Sequence, residues 1–269
     1  RPTATLHDRY EEAECSFRVT GRVPELWDPM TGTITEAAVW WTKEGRTFVP
    51  LRLAPEGSVF VVFRKPTTVK TAVEVRRDGH RVWPPAHGVK AGAWPVCTLE
   101  RRAGRTELAA FEPGAYEVRT VDELLAKRKA APDGTITPAG PWEVRFIDGR
   151  GAPGMAELAE LTDWSKSDTE GIRYYSGRAV YRTTFDAPAP KAGARTWIDL
   201  GNVLEIASVR LNGRDLGIAW IAPFRVEATG ALQAGRNELE ITVANLWPNR
   251  LIGDAKLPPE KRVTKTNIT

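Results

Sequence analysis

Alternation of apolar and polar positions runs along most of this chain and is clearest towards its C-terminal end. Ala207, Val209 and Leu211 share one parity, with Ser208, Arg210 and Asn212 on the other. Asn212-Gly213 follows, and then Leu216, Ile218 and Trp220 alternate again. Asn-Gly between two alternating runs signals a hairpin, because a type I′ turn needs positive φ at both central residues. Beyond Gln233-Ala234-Gly235-Arg236-Asn237, Leu239, Ile241 and Val243 point one way while Glu238, Glu240 and Thr242 point the other. Strands with one apolar and one polar face build sandwiches and jelly rolls.

Upstream the same pattern predicts three further stretches of strand. In residues 1–66, strands are expected at 15–20, 37–42, 47–53 and 58–64, with a turn-rich bend over 24–32. Val59-Phe60-Val61-Val62-Phe63 is apolar on both faces and reads as a central strand. This makes a partial sandwich, truncated at its N-terminal side. Residues 67–140 read as a small β-rich unit. Val69, Thr71, Val73 and Val75 alternate, Asp78-Gly79 turns the chain, and residues 83–95 are loop. Strands follow at 97–101, 107–111 and 115–120. Thr120-Val121-Asp122-Glu123 fits a capping box and predicts a short helix over 121–129, with an irregular edge strand as the alternative. Residues 141–254 form the third unit. Trp142, Val144 and Phe146 alternate there, as do Ala179, Tyr181, Thr183 and Phe185; 155–161 is expected to make one or two helical turns, and 196–200 a strand. Residues 255–269 are a tail, frayed beyond Pro258. The fold class is all-β, in tandem sandwich units.

Composition changes little. Lys and Arg number 38 against 34 Asp and Glu, a net charge of +4 spread along the chain, and no basic block is interleaved with stacking aromatics. Nucleic acid is therefore not expected as a partner. Apolar runs are strand length, so no membrane span is expected. The ten tryptophans suit either sandwich cores or sugar binding, and core positions are the first expectation. Cys15 and Cys97 each sit in an apolar run and read as buried free thiols rather than a bridge. The chain opens at Arg1 with no Met and no signal segment, so a processed product or a cut piece is expected.

Chemistry is sparsely signalled. His7, His80 and His87 have no Cys or His at ligand spacing, so no metal is expected. There is no Gly-x-Ser-x-Gly, no phosphate loop and no dinucleotide fingerprint, so no cofactor is expected. Asp199 and Glu205 lie near one another at a strand end, but read as an exposed face, and no carboxylate stands out as catalytic. The remaining candidates are Trp220, Asn245, Trp247 and Arg250. A ring beside an amide and a guanidinium suits a hydroxyl-rich ligand. The opposing expectation is structural. The parity turns both rings inward, and Asn245, Asn249 and Arg250 can tie the tail to the sandwich.

Residues 17–29 (beginning Phe17-Arg18-Val19-Thr20), Gly57-Ser58-Val59-Phe60-Val61-Val62-Phe63-Arg64, Gly140-Pro141-Trp142-Glu143-Val144, Tyr174-Tyr175-Ser176-Gly177 and 246–254 occur in an order that resembles the C-terminal half of glycoside hydrolase family 106, the α-L-rhamnosidases. The third unit is also similar to the jelly-roll, galactose-binding-like sugar-binding domain of family 2 enzymes. The resemblance implies a non-catalytic region that follows a catalytic barrel of the same polypeptide, with carbohydrate as a possible contact and a secreted or periplasmic location. The barrel would hold the catalytic carboxylates and the metal, so this chain alone would be inactive. A free-standing carbohydrate-binding module is the alternative.

Overall fold

A computed structural model of the chain describes residues 11–54, 57–67, 71–84, 95–102, 105–120, 123–132 and 134–265. It divides into two compact units, Arg1–Gly134 and Thr135–Thr269. Both are built of strands, so the protein is all-β with tandem sandwiches. No helix among the described residues is long and apolar enough to cross a membrane.

The first unit has twelve described strands: β1 (Glu11–Phe17), β2 (Arg22–Trp27), β3 (Ile34–Glu36), β4 (Trp41–Lys43), β5 (Arg46–Leu53), β6 (Phe60–Pro66), β7 (Glu74–Arg77), β8 (His80–Trp83), β9 (Cys97–Arg102), β10 (Arg105–Ala110), β11 (Gly114–Arg119) and β12 (Leu124–Ala130). They form sheets of order β1-β5-β4, β10-β9-β3-β2-β6 and β12-β11-β7-β8. Two cores result. Trp40, Val49 and Leu51 gather Phe17, Leu26 and Val61 in one. Val39, Val75, Cys97, Leu99, Tyr116 and Val118 make the other. Residues 37–40 thread between them, Ala37 and Trp40 facing the first core and Ala38 and Val39 the second. Glu36 of β3 pairs with Arg101 of β9, so the stretches 1–66 and 67–140 share a sheet instead of standing apart.

Several local expectations change here. Residues 22–27 are a strand although Pro24 sits among them. The ladder slips between Arg22 and Pro24, and a proline that cannot donate is tolerated at such a bulge. β6 lies at a sheet edge, not its centre, and Phe60 is exposed. Apolarity on both faces does not distinguish a covered second face from an open one. Leu124–Ala130 is the edge strand, not a helix, because β11 offers it a ladder from Gly114 to Arg119. The threonine half of the capping box does form, Thr120 Oγ1 accepting from Glu123 N at 3.0 Å, but a strand and not a helix follows it. Val121 and Asp122 lie outside the described residues, as does the loop at 85–94. Cys15 and Cys97 are both free. Cys97 is buried in the second core, which pushes its thiol up to about 12, while Cys15 is only half-buried.

The second unit contains β13 (Trp142–Phe146), β14 (Met155–Leu158), β15 (Arg178–Ala187), β16 (Trp197–Asp199), β17 (Ile206–Leu211), β18 (Arg214–Ala219), β19 (Arg225–Glu227) and β20 (Gly235–Ala244), with helices α1 (Glu170–Arg173) and α2 (Pro248–Ala255). A six-stranded sheet β14-β13-β15-β20-β17-β18 faces the pair β16-β19 across one core. Asn212 and Gly213 both have positive φ, 51° and 77°, as the hairpin requires. Ala207, Val209 and Leu211 are fully buried, and Leu239 and Ile241 join them.

Two expectations fail in this unit for identifiable reasons. Residues 155–158 extend β13 as a strand. Their burial alternates, with Ala156 and Leu158 on the core, and the open edge of β13 supplies their ladder. In β18 the inward parity breaks. Val209 pairs with Gly217 but Arg210 with Asp215, so Leu216 is an extra, bulged residue. One inserted residue exchanges the faces beyond it. Ala219 therefore turns inward, while Ile218 and Trp220 are 60% and 50% exposed.

Candidate functional site

The four candidate residues from the sequence lie in the second unit, and the structure divides them. Asn245 and Arg250 are structural ties. Asn245 Oδ1 accepts from Gly177 N at 2.9 Å, and its Nδ2 donates to Tyr175 O at 3.0 Å. Trp220 and Trp247 face solvent instead of the core, and Trp247 is 47% exposed. Ala219 pairs with Ala207, and Ala244 with Ile206. Trp220 and Asn245 thus leave the sheet at the same end on either side of β17, roughly 10 Å apart at ordinary strand spacing.

Helix α2 organises this end. Pro248 stands at its first position, where a missing N–H costs nothing and the fixed φ suits the helix. Arg250 is only 5% exposed. Its backbone N–H donates to Ser176 Oγ at 2.9 Å and its Nη1 to Arg150 O at 3.2 Å. Nη2 lies 3.0 Å from Asp254 Oδ1, a Coulombic contact off the line of a hydrogen bond, and Nε is buried without a hydrogen-bond partner among the described residues. Asp254 Oδ2 accepts from both N (2.7 Å) and Oγ1 (2.5 Å) of Thr264. Burial pushes the Asp254 carboxyl up, but the Thr264 hydrogen bonds and the Arg250 charge outweigh it and leave it below its usual value. The tail is thus anchored through residue 264 rather than frayed. A carboxylate in the last turn opposes the helix dipole, so tertiary contacts, not the helix, place Asp254. Gly253 is required by close approach: a Cβ there would stand 2.6 Å from Tyr174 Cβ.

Two loops complete the cluster. Tyr175 is buried edge-on against Phe146 and Trp164, and its hydroxyl donates to Arg178 O at 2.7 Å. Asp148 accepts from Arg178 through both its oxygens, at 2.7 Å from N and 3.0 Å from Nη2, and Arg178 holds its carboxyl below the usual range. Arg150 has φ +55° between Gly149 and Gly151, also at positive φ. Its guanidinium lies 4.3 Å from the Trp247 ring centroid, and Nη1 donates to Ser176 O at 2.8 Å. Left-handed backbone at a residue with a Cβ costs about 1–2 kcal/mol. An exposed cation–π contact returns about 0.5–1 and a hydrogen bond about 1. The arrangement is close to neutral in stability, so a glycine at 150 would build the turn as well. Sequence reasoning missed Arg150 and α2, and met Tyr174 and Ser176 only as part of a resembling segment, without a role. Pro248 was the available signal for the helix; nothing local connects Arg150 to Trp247.

Among the described residues, carboxylates elsewhere do not assemble an acid–base pair. Asp199 is held by Arg225 Nε at 2.8 Å, and Glu205 is exposed. Glu25 is 1% exposed but accepts from Arg64 Nε at 2.8 Å and Trp27 Nε1 at 3.1 Å. Its cross-strand partner Glu36 accepts from Lys65 at 3.1 Å and Arg101 at 2.9 Å. These bonds hold both carboxyls below their usual range, the opposite of what a general acid needs. Glu12 differs. Burial pushes it from 4.5 to about 7 against the charge of Arg52, whose Nε is 3.3 Å away on the facing strand. A folded value above the unfolded one favours the fold fully below pH 4.5, and that contribution is lost as pH rises through about 7. Urea unfolding of the first unit should lose up to about 3 kcal/mol over that window. In Glu12→Gln this slope should vanish; an unchanged slope would assign it to another group.

Comparison with known proteins is consistent with this geometry. Residues 163–266 match the model of the family described as glycosyl hydrolase 2 galactose-binding domain-like, so the second unit carries a galactose-binding-like sandwich. A protein of Formosa agariphila named as a beta-glucuronidase is 39% identical over 158 residues, which make up 58% of this chain and 14% of that protein. The structure of a rhamnosidase from Novosphingobium sp. PP1Y is 35% identical with a TM-score of 0.65, covering 96% of this chain and 19% of that one. The chain is therefore homologous to domains of glycoside hydrolases and spans less than a fifth of the length of either relative.

Proposed function

We propose that this chain is the non-catalytic β-sandwich region of a multidomain glycoside hydrolase of the α-L-rhamnosidase type, in family 106. In this reading it buttresses a catalytic barrel that precedes it in the same polypeptide, borders the carbohydrate, and works outside the cytoplasm, secreted or periplasmic. The supporting observation is the likeness to the Novosphingobium rhamnosidase over 96% of this chain but only 19% of that one. The carboxylates agree with it. Glu25 and Glu36 are tied by cations, and Glu12, the one pushed up to about 7, faces Arg52 across its strand pair. Two carboxylates across a glycosidic bond need one that keeps its proton and one that does not.

A free-standing carbohydrate-binding module is the second reading, and the exposure of Trp220 and Trp247 favours it. Turnover separates the two. The purified chain should not hydrolyse an aryl α-L-rhamnoside, whereas the intact polypeptide that carries it should. Turnover by the chain alone, abolished by changing one carboxylate, would overturn the proposal. An intact polypeptide that binds sugar without cleaving it would favour the module.

A further inference from the structure

The Arg150–Trp247 pair has the build of a binding platform. Arg150 is held in left-handed backbone by the turn Gly149-Arg150-Gly151, with φ values of 66°, 55° and 85°. Only its Nη1 is engaged, by Ser176 O at 2.8 Å. Its Nε and Nη2 have no partner among the described residues. Asp148, the neighbouring carboxylate, is bound through both oxygens to Arg178 and acts on Arg150 only at longer range. The guanidinium carbon lies 4.3 Å from the ring centroid of Trp247, a residue that is 47% exposed. Arg250 ties the two together: its Nη1 donates to Arg150 O, and Trp247 is the N-cap of its helix.

We infer that Arg150 and Trp247 form a subsite for a carboxylated sugar, a uronic acid residue within an oligosaccharide. The open edge of a guanidinium matches a carboxylate with two parallel N–H···O bonds. The part of Trp247 that the guanidinium leaves uncovered offers the apolar surface that a pyranose ring needs beside that charge. A neutral sugar would meet the ring but leave the guanidinium edge unpaired. This rests on the proposed carbohydrate-facing role of the unit and adds the charge of the ligand to it.

The test titrates the full chain with trigalacturonate, its methyl ester and a neutral trisaccharide, following backbone and indole NMR shifts. The acid should shift the signals of residues 149–151 and Trp247, and the ester should bind about tenfold more weakly or worse. Arg150→Asn keeps a residue that tolerates left-handed backbone. It should lose about tenfold in affinity for the acid with an unchanged melting temperature, and Trp247→Ala should weaken acid and ester alike. Equal binding of acid and ester, or wild-type affinity in Arg150→Asn, would overturn the inference while leaving a sugar-facing role intact. No binding by any of the three sugars would overturn both, and the rhamnoside assay would still decide the parent-enzyme reading.

Discussion

Leu211→Asp is expected to unfold the second unit, and Ile241→Asp to do the same. Leu211 is fully buried and pairs with Leu239, while Ile241 pairs with Val209 two rungs along, on the same face. An aspartate there lies in the hydrophobic core with no cation to pair it, and burying a charge without a partner costs several kcal/mol. Loss of the apolar side chain adds about 2–5 more. Domains are stable by only about 5–15 kcal/mol, so either change consumes most of that. Arg210→Ala, on the same strand but facing outward, should stay within about 0.5 kcal/mol. It loses one hydrogen bond to Gly213 O and a 3.8 Å contact with Glu240. Ile218→Asp separates the structure from simple alternation. The sequence parity places Ile218 inside, yet it is 60% exposed, and the change should be nearly neutral. Urea midpoints of the four variants check this; a large loss for Ile218→Asp would remove the bulge at Leu216.

That bulge marks the limit of what alternation can show. β17 and β20 were legible because both lie inside the sheet, where an apolar face has one place to go. β18 is the edge strand, free to insert Leu216, and no residue pattern announces an extra position in one strand of a pair. The misplacement of Trp220 follows from it. Met155–Leu158 and Leu124–Ala130 were misjudged for a related reason. Each is a short segment whose state is decided by the ladder a neighbouring strand offers, through β13 and β11. Pro24 was read as a turn because a bulge is what makes it compatible with a strand. At the candidate site the sequence supplied Trp247, whose ring is exposed, and Asn245 and Arg250, which hold the platform rather than form it. Arg150 was not legible, since its partnership with Trp247 exists only after β13 and β20 have joined the sheet on either side of β15.

Asp254→Ala should cost the second unit about 3–5 kcal/mol, the usual price of stranding a buried charge. Its partner Arg250 would remain almost wholly enclosed, its Nε already lacking a hydrogen bond. Thr264 would also lose its acceptor and release the tail. The double replacement Arg250→Met with Asp254→Leu should cost much less than either single change, because a buried ion pair exchanged for apolar groups of similar volume is often neutral. It would still lose the tie to Arg150 O, so some loss in the 149–151 turn is expected. The same pair sets an acid limit. The Asp254 carboxyl lies below its unfolded value in the fold, so its contribution is present at neutral pH and is lost as pH falls through the carboxylate range. Asp254→Asn should therefore flatten the acid limb of the stability profile of this unit. Urea unfolding at pH 7 measures the first effect, and a series from about pH 5 down to about pH 2 measures the second. If Asp254→Ala proves no worse than the double variant, the pair is not the buried anchor of α2, and the hydrogen bonds to Ser176 and Arg150 hold the helix without it.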